Sequence, residues 1–351
     1  MNNISEILDI LKKLIKTASF SRDEDKTADI IQQFLKLKEY PINRKGNNIW
    51  VYGKNNKAGL PFILLNSHHD TVKPVESWTL DPFEPKEENG KIYGLGSNDA
   101  GASLVSLLAV FFHLDGFDKK YNLIYAATAE EEISGAEGIH SIIDDLEKID
   151  LAIIGEPTNM QMAVAEKGLM VLDCITEGKA GHAARNEGDN AIYKALKDIK
   201  WIKKYSFPKI SSLLGQVKMT VTQINAGIQH NIIPDKCSFV VDVRSNEKYT
   251  NKEIYEIINK NIESKVTPRS FRLNSSSIHL NHPIVKKGIK MGLMYFGSPT
   301  TSDQAAIPWT SIKIGPGDSA RSHSADEYIK IIEIENAIST YIELLKDLDI
   351  K

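Results

Sequence analysis

Histidine and carboxylate residues recur at separated points of this 351-residue chain in patterns that could hold metal ions. They are His68 and Asp70 in S-H-H-D, Asp99 in G-L-G-S-N-D, Glu131 and Glu132 in A-E-E-E-I, Glu156 in I-I-G-E-P-T, and His323 in S-H-S-A-D-E. Most follow an apolar, strand-like run or lie in a Gly/Ser/Pro-rich loop, where α/β folds place their chemistry. Mixed imidazole and carboxylate ligands suit zinc or a neighbouring first-row ion, whereas calcium and magnesium prefer oxygen alone. Taken together the set is sufficient for two metal ions, which points to a two-metal hydrolase.

Each position has its own logic and its own plainer alternative. Side chains alternate along an extended segment, so His68 and Asp70 share a side. A carboxylate there can accept the far N–H of a metal-bound imidazole and fix its tautomer. His69 points the other way and receives no role. Asp99, between a Gly-rich turn and an apolar helix, could cap that helix or bridge two cations. Adjacent Glu131 and Glu132 could diverge, one holding metal and the other serving as general base, and Glu130 could exchange with Glu131. Glu156 and His323 would be ordinary loop residues if met alone. Further along, His182 in G-K-A-G-H-A-A-R, Asn231 in Q-H-N-I-I-P-D and Arg244 in V-V-D-V-R could donate to an oxyanion and a substrate carboxylate, or be turn and surface residues.

The elements that must position these residues alternate in the first half. Helical spacing covers the N-terminus (Ile4, Ile7, Leu8, Leu11, Leu14, Ile15) and residues 24–39. Strands are expected at Trp50–Tyr52, Pro61–Leu65, Asn122–Thr128 and Leu151–Ile154, with a small-residue helix at Ala100–His113. That alternation predicts a mainly parallel sheet with functional loops at its carboxyl edge. From about residue 166 the pattern becomes strand, helix, strand, strand, helix, strand, as in a small α+β insertion. Helix Pro283–Met291, strand Ser311–Ile314 and a helix from about 327 follow. Because His323 belongs with the first-half ligands, residues 1–166 and 279–351 are expected to form one discontinuous domain and 167–278 an inserted one.

Bulk properties narrow the class. Hydrophobic residues at 42% and charged residues at 25% are ordinary globular values. A formal net charge of -3 gives no electrostatic reason to expect nucleic acid or an anionic membrane. No uninterrupted apolar run approaches the roughly 20 residues of a membrane span, and the amphipathic N-terminus does not resemble a signal peptide. Cys174 and Cys237 lie in apolar runs and are expected to be buried rather than bridged. A cytoplasmic enzyme is the expectation.

The ordered set resembles the M20 metallopeptidase family, in its acetylornithine deacetylase/succinyl-diaminopimelate desuccinylase branch. The likeness spans nearly the whole chain: H-x-D at 68–70, Asp99 after G-x-G-x-x, E-E at 131–132, G-E-P-T at 155–158, G-x-x-x-H at 178–182, N-x-I-P at 231–234, T-S-D at 301–303 and H-x-x-D-E at 323–327. The resemblance implies an α/β, Zn-peptidase-like catalytic domain with a mainly parallel central sheet, and a ferredoxin-like lid through which such chains dimerise. It implies a zinc pair, with cobalt or manganese as alternatives. His68 and Glu156 would bind one metal, Glu132 and His323 the other, and Asp99 would bridge. Glu131 would be the general acid/base, Asp70 would orient His68, and the Asp99–Ala100 peptide would be cis. His182, from the partner subunit, and Asn231 would serve the oxyanion, and Arg244 a substrate carboxylate. Removal of the N-acyl group from an α-amino acid, N-acetyl-L-ornithine foremost, is the implied reaction. Two departures, S-H-H-D for G-H-x-D and Asp99-Ala100-Gly101-Ala102 for D-M-K-G, cost no ligand but loosen any transfer of substrate preference.

Overall fold

Phe62–His68 lies between Asn122–Thr128 and Ile149–Ile154 and runs parallel to both, and Ser311–Lys313 runs parallel to Ile149–Ile154. All four strands are buried apart from one or two partly exposed residues, as expected of apolar runs covered on both faces. Asn48–Tyr52 adds antiparallel to Asn122–Thr128, and Asn43–Lys45 folds back on it. These relations come from a computed structural model that describes residues 4–350. The chain forms two compact units. One comprises the chain up to Val164 with Ser277–Phe296 and the segment from Ser302 onward; the other comprises Ala165–Ser276 with Gly297–Thr301.

Helix Ala102–Asp115 is apolar nearly all round and almost wholly buried, the signature of a core helix. With the turn before it, Ser97–Asp115 makes 19 residues apolar enough to cross a bilayer by length and composition, but 83% of its apolar window is buried inside the protein. Its neighbours include Ile331–Leu345 and the N-terminal helix Ile4–Ile15, whose buried stripe is Ile7, Leu8, Ile10, Leu11, Leu14 and Ile15.

Two boundaries differ from the sequence expectation for local reasons. The core helix starts at Ala102 because Ser97–Gly101 forms a tight irregular turn with a cis Asp99–Ala100 peptide. Gly96 opens that turn at φ +74, and a Cβ there would lie 2.6 Å from Thr71 Cγ2, so glycine is required. The final helix starts at Ile331 because Tyr328–Lys330 pairs as a strand with Lys91–Tyr93.

In the second unit, Lys218–Ala226, Lys236–Ser245, Gly168–Glu177 and Lys265–Pro268 form a four-stranded sheet in that order, each neighbouring pair antiparallel. Helices Ala191–Lys204 and Asn251–Asn261 complete a ferredoxin-like order. Gly168–Glu177 alternates buried and half-buried positions, and its buried Met170, Leu172 and Cys174 join Phe239, Val241 and Val243 in one core. Both cysteines are buried and free. Gly297–Thr301 belongs here because Lys167 N–H donates to Ser298 O at 3.1 Å and Arg244 Nη1 to Thr301 Oγ1 at 3.3 Å.

Candidate metal centre

The carboxyl ends of the parallel strands deliver the imidazole and carboxylate groups together. His68 is the last residue of its strand, with Thr128 as its register partner two residues before Glu130. Glu156 follows Ile149–Ile154 by two residues, and Ser311–Lys313 leads into the loop that carries His323. Around His68 Nε2 lie Asp99 Oδ1 at 3.4 Å, Glu156 Oε1 at 3.8 Å and Glu131 Oε2 at 3.9 Å. Asp99 reaches the other way with Oδ2, 3.7 Å from His323 Nε2, which meets Glu132 Oε2 at 2.9 Å. One carboxylate therefore spans two imidazoles, each with a further glutamate.

A metal fits this donor set. His68 Nδ1 donates to the Asp70 backbone carbonyl at 3.0 Å, with Asp70 Oδ1 at 3.3 Å. A carbonyl can only accept, so in the neutral ring the Nε2 lone pair faces the carboxylates. That Nε2 atom is buried and has no hydrogen-bond partner among the described residues. His68, Glu131 and Glu156 offer ligand atoms all within 4.8 Å of one another, as do His68, Asp99 and Glu132. His323, with its side chain 54% exposed, approaches from a loop at φ +57.

Electrostatics favour cations. Burial, then the neighbouring Glu156, Glu132 and Asp303, pushes Glu131 well above the usual carboxylate range against the pull of His68. Glu156 is pushed up to about 8, first by burial and then by Asp99 among the facing charges. The hydrogen bond to Glu132 is the main reason His323 rises to about 9. Burial works against the charged form of His68, but Asp70, Asp99, Glu131 and Glu156 outweigh it and raise the ring well above its ordinary value. Bound divalent ions would relieve this crowding of negative charge.

The neighbours of these groups hold them in place. Asp70 is fully buried and accepts from Ser21 Oγ at 2.7 Å and from the backbone N–H of Glu131 and Glu132 at 3.1 Å each. Glu130 sits at φ +56 and turns away: its Oε2 accepts from Glu137 N–H at 3.3 Å, and Oε1 lies 3.7 Å from Arg22 Nε. His69, also turned away, is tied to Thr27 Oγ1 and Asn47 O at 2.9 Å each. Asp303 of the T-S-D segment is buried and accepts from Asn66 Nδ2 at 2.9 Å and Thr128 Oγ1 at 2.8 Å. No role for Asp303, or for Glu327, is legible in the sequence beyond membership of a motif.

The other sequence-selected residues lie on the second unit. Gly181–His182 pairs antiparallel with Ile232–Ile233, and Ala183 N–H donates to Asn231 O at 3.0 Å, so His182 and Asn231 are neighbours. Ala184 N–H donates to His182 Nδ1 at 3.1 Å, which leaves Nε2 as the proton-bearing atom of the neutral ring. Arg244 grips Asp242 through Nε at 2.9 Å and Nη2 at 3.1 Å and donates from Nη1 to Thr301 Oγ1 at 3.3 Å, leaving two of its five N–H hydrogens for a second carboxylate.

Known proteins resemble the chain over most of its length. Succinyl-diaminopimelate desuccinylase of Wigglesworthia glossinidia brevipalpis is 31% identical over 272 residues, covering 72% of this chain and 71% of the relative. Acetylornithine deacetylase of Proteus mirabilis is 26% identical over 361 residues, covering 93% of each chain. [LysW]-lysine/[LysW]-ornithine hydrolase of Sulfurisphaera tokodaii is 26% identical, covering 99% of this chain and 96% of the relative. Among solved structures, a tripeptidase of Staphylococcus aureus superposes with a TM-score of 0.78 at 20% identity, covering 98% of each chain. A dinuclear metal-binding M20 peptidase of Bacillus subtilis gives 0.73 at 16% identity, covering 98% of this chain and 99% of that one. The sequence profile of Peptidase family M20/M25/M40 matches residues 64–347. With metal-binding groups converging at the carboxyl edge of its sheet, the chain belongs to that family of metal-dependent amide hydrolases.

Proposed function

We propose that this protein removes the N-acyl group from an α-amino acid, with N-acetyl-L-ornithine as its substrate in arginine synthesis. The observation that carries the hydrolytic reading is Asp99, whose two oxygens face His68 and His323 at 3.4 and 3.7 Å. His68 and Glu156 would hold one divalent ion and Glu132 and His323 the other, with Asp99 shared. Zinc suits these donors best, and cobalt or manganese fit the same set. When bound, such a pair supplies Lewis acidity toward a carbonyl and makes water more acidic.

The side chains account for the proton movements. Water adds to the acyl carbonyl carbon as Glu131 takes one of its protons, forming the new C–O bond. Glu131 then gives that proton to the amide nitrogen as the C–N bond breaks, releasing a carboxylic acid and an amine; the acid's remaining proton passes to the amine, giving a carboxylate and an ammonium group. His182 presents an Nε2–H donor for the oxyanion, assisted by Asn231, and Arg244 offers its outer edge to the substrate carboxylate. We assign this work to a homodimer joined through the second unit, where Lys218–Ala226 is an open sheet edge.

Acetylornithine deacetylase of Proteus mirabilis, similar over 93% of both chains, supports the acetyl-ornithine choice. The 31% identity to a succinyl-diaminopimelate desuccinylase favours a succinyl substrate as the second reading. Primary-amine release should be measured for cobalt- or zinc-loaded protein on N-acetyl- and N-succinyl-ornithine, citrulline, lysine and diaminopimelate, with a dipeptide. Preferred turnover of N-acetyl-ornithine is expected. Preference for a succinyl, citrulline or dipeptide substrate would replace that assignment, and turnover of none by protein holding two ions would end the deacylase reading.

A further inference from the structure

Glu327 is a buried carboxylate, 2% exposed, outside the ligand set. Its Oε1 accepts from the backbone N–H of Asn98 at 2.8 Å and of Asp99 at 2.9 Å, and its Oε2 from Gly96 N–H at 3.1 Å. Its own backbone carbonyl accepts from Gly94 N–H at 3.0 Å. Burying a carboxylate is costly unless it is hydrogen-bonded, and here three N–H groups of one irregular turn converge on it. That turn carries Asp99. The segment ending at Glu327 carries His323, four residues earlier. A second tie joins the same two segments: Asn98 Nδ2 donates to Asp318 O at 3.1 Å and Asp318 N–H to Asn98 Oδ1 at 3.1 Å.

We propose that Glu327 is a positioning residue that sets Asp99 against His323, and so fixes the geometry of the half of the centre those two groups share. The assignment rests on Asp99 as the shared ligand. Residues 99 and 323 arrive from opposite ends of the sequence, and a Coulombic attraction alone would not fix the angle at which the Asp99 oxygens face the two imidazoles. The Glu327 carboxylate fixes the backbone of Asp99 itself, while the strand pair Tyr328–Tyr93 immediately after it anchors Glu327 to the same unit. Glutamine at 327 fills the same space but presents an NH2 group to one or more of these N–H donors and removes the charge.

The test is titration of the metal-free full chain with cobalt(II), followed by d–d absorption and equilibrium dialysis, for wild type, Glu327→Gln and Asp99→Asn. For Glu327→Gln the first equivalent is expected to bind as in wild type. The second should bind about 10–100-fold more weakly, the scale seen when a residue supporting a ligand is lost. Its d–d spectrum should change, which a purely structural role would not produce, while the metal-free protein melts somewhat lower because an N–H donor is left facing the NH2 group. Wild-type binding and spectrum in Glu327→Gln, beside weakened binding in Asp99→Asn, would overturn the role of Glu327 alone. A lowered melting temperature with unchanged cobalt binding would do the same, making Glu327 only structural. Two cobalt ions bound at wild-type affinity by Asp99→Asn would remove the shared-ligand reading, and this proposal with it. Should Glu327→Gln not fold, Glu327→Asp keeps the charge and loses one methylene of reach; intermediate weakening of the second cobalt supports the proposal and wild-type binding overturns it.

Discussion

Asp70 Oδ2 accepts the backbone N–H of Glu132 at 3.1 Å, and its Oδ1 accepts that of Glu131 at the same distance. Asp70 therefore does more than face the His68 ring, whose Nδ1 lies 3.3 Å from its Oδ1. It also clamps the turn that presents both glutamates, so the strand ending at His68 and the strand ending at Thr128 share one buried anchor. Asp70→Ala leaves two backbone donors and the Ser21 hydroxyl without their acceptor, at about 1–3 kcal/mol for each buried group left unmade. A markedly lower melting temperature and cobalt affinity reduced about 10–100-fold are expected. Asp70→Asn, which keeps an acceptor oxygen, should lose less stability. Wild-type cobalt affinity in a folded Asp70→Ala protein would contradict this dual role.

Glu131→Gln should bind two cobalt ions and lose about 10²–10⁴-fold in kcat, the usual contribution of a positioned acid/base. Glu130→Gln should cost stability instead, because the Glu130 side chain faces Glu137 N–H and Arg22. Steady-state kinetics on both variants decides between the two adjacent carboxylates. A large kcat loss in Glu130→Gln with little in Glu131→Gln would exchange their roles.

Protons and metal ions compete for this centre, and the sign of the effect follows from the raised groups. Glu156 at about 8 in the folded, metal-free protein against an ordinary 4.5 means that the folded state holds more protons than the unfolded between those values. His323 at about 9 against 6.5 has the same sign over its own window. Stability of metal-free protein supplied by these groups is thus full below their ordinary values and lost as pH rises through 8 and 9. Divalent ions, which need the deprotonated ligands, should bind more tightly with rising pH and release protons. Melting temperatures of EDTA-treated protein should fall between about pH 5 and 9, and the gain on adding cobalt should widen over the same range. A cobalt-induced gain that shrinks with rising pH would contradict the competition.

The parallel strands and the residues at their ends were legible because both signals are local: unbroken apolar runs such as Asn122–Thr128, and ligand-type residues directly after them. Side-chain chemistry alone also suggests that Glu131 and Glu132 could diverge, but not which way Glu130 turns, since that depends on a backbone angle of +56° and on Gly135 and Glu137 lying against the Glu130 side chain. The roles of Asp70 toward the glutamate turn and of Glu327 toward the Asp99 turn left no mark in spacing. Their partners are backbone N–H groups, which every residue but proline carries. Short strands such as Lys91–Tyr93 and Tyr328–Lys330 escaped for a related reason: three residues cannot display a period, and only pairing with neighbouring strands defines them.

The second unit makes the assembly testable. Among the described residues its edge strand Lys218–Ala226 has no partner on one side, and Ile224 at 50%, Ile228 at 90%, Tyr193 at 72% and Leu196 at 51% exposure are apolar surface of the kind an interface covers. Sedimentation should give a dimer for wild type and a monomer for Ile224→Lys; a wild-type monomer would remove this surface from the account. If His182 serves the partner subunit, His182→Ala and Glu131→Gln should each be nearly inactive alone but complement when mixed and allowed to exchange subunits. A mixed dimer then has one site with both Glu131 and the partner's His182 intact, and one with neither. Because random exchange makes half of all dimers mixed, about a quarter of wild-type activity should return. Recovery of none, with mixed dimers demonstrated by differential tagging, would place His182 in the service of its own subunit or of neither.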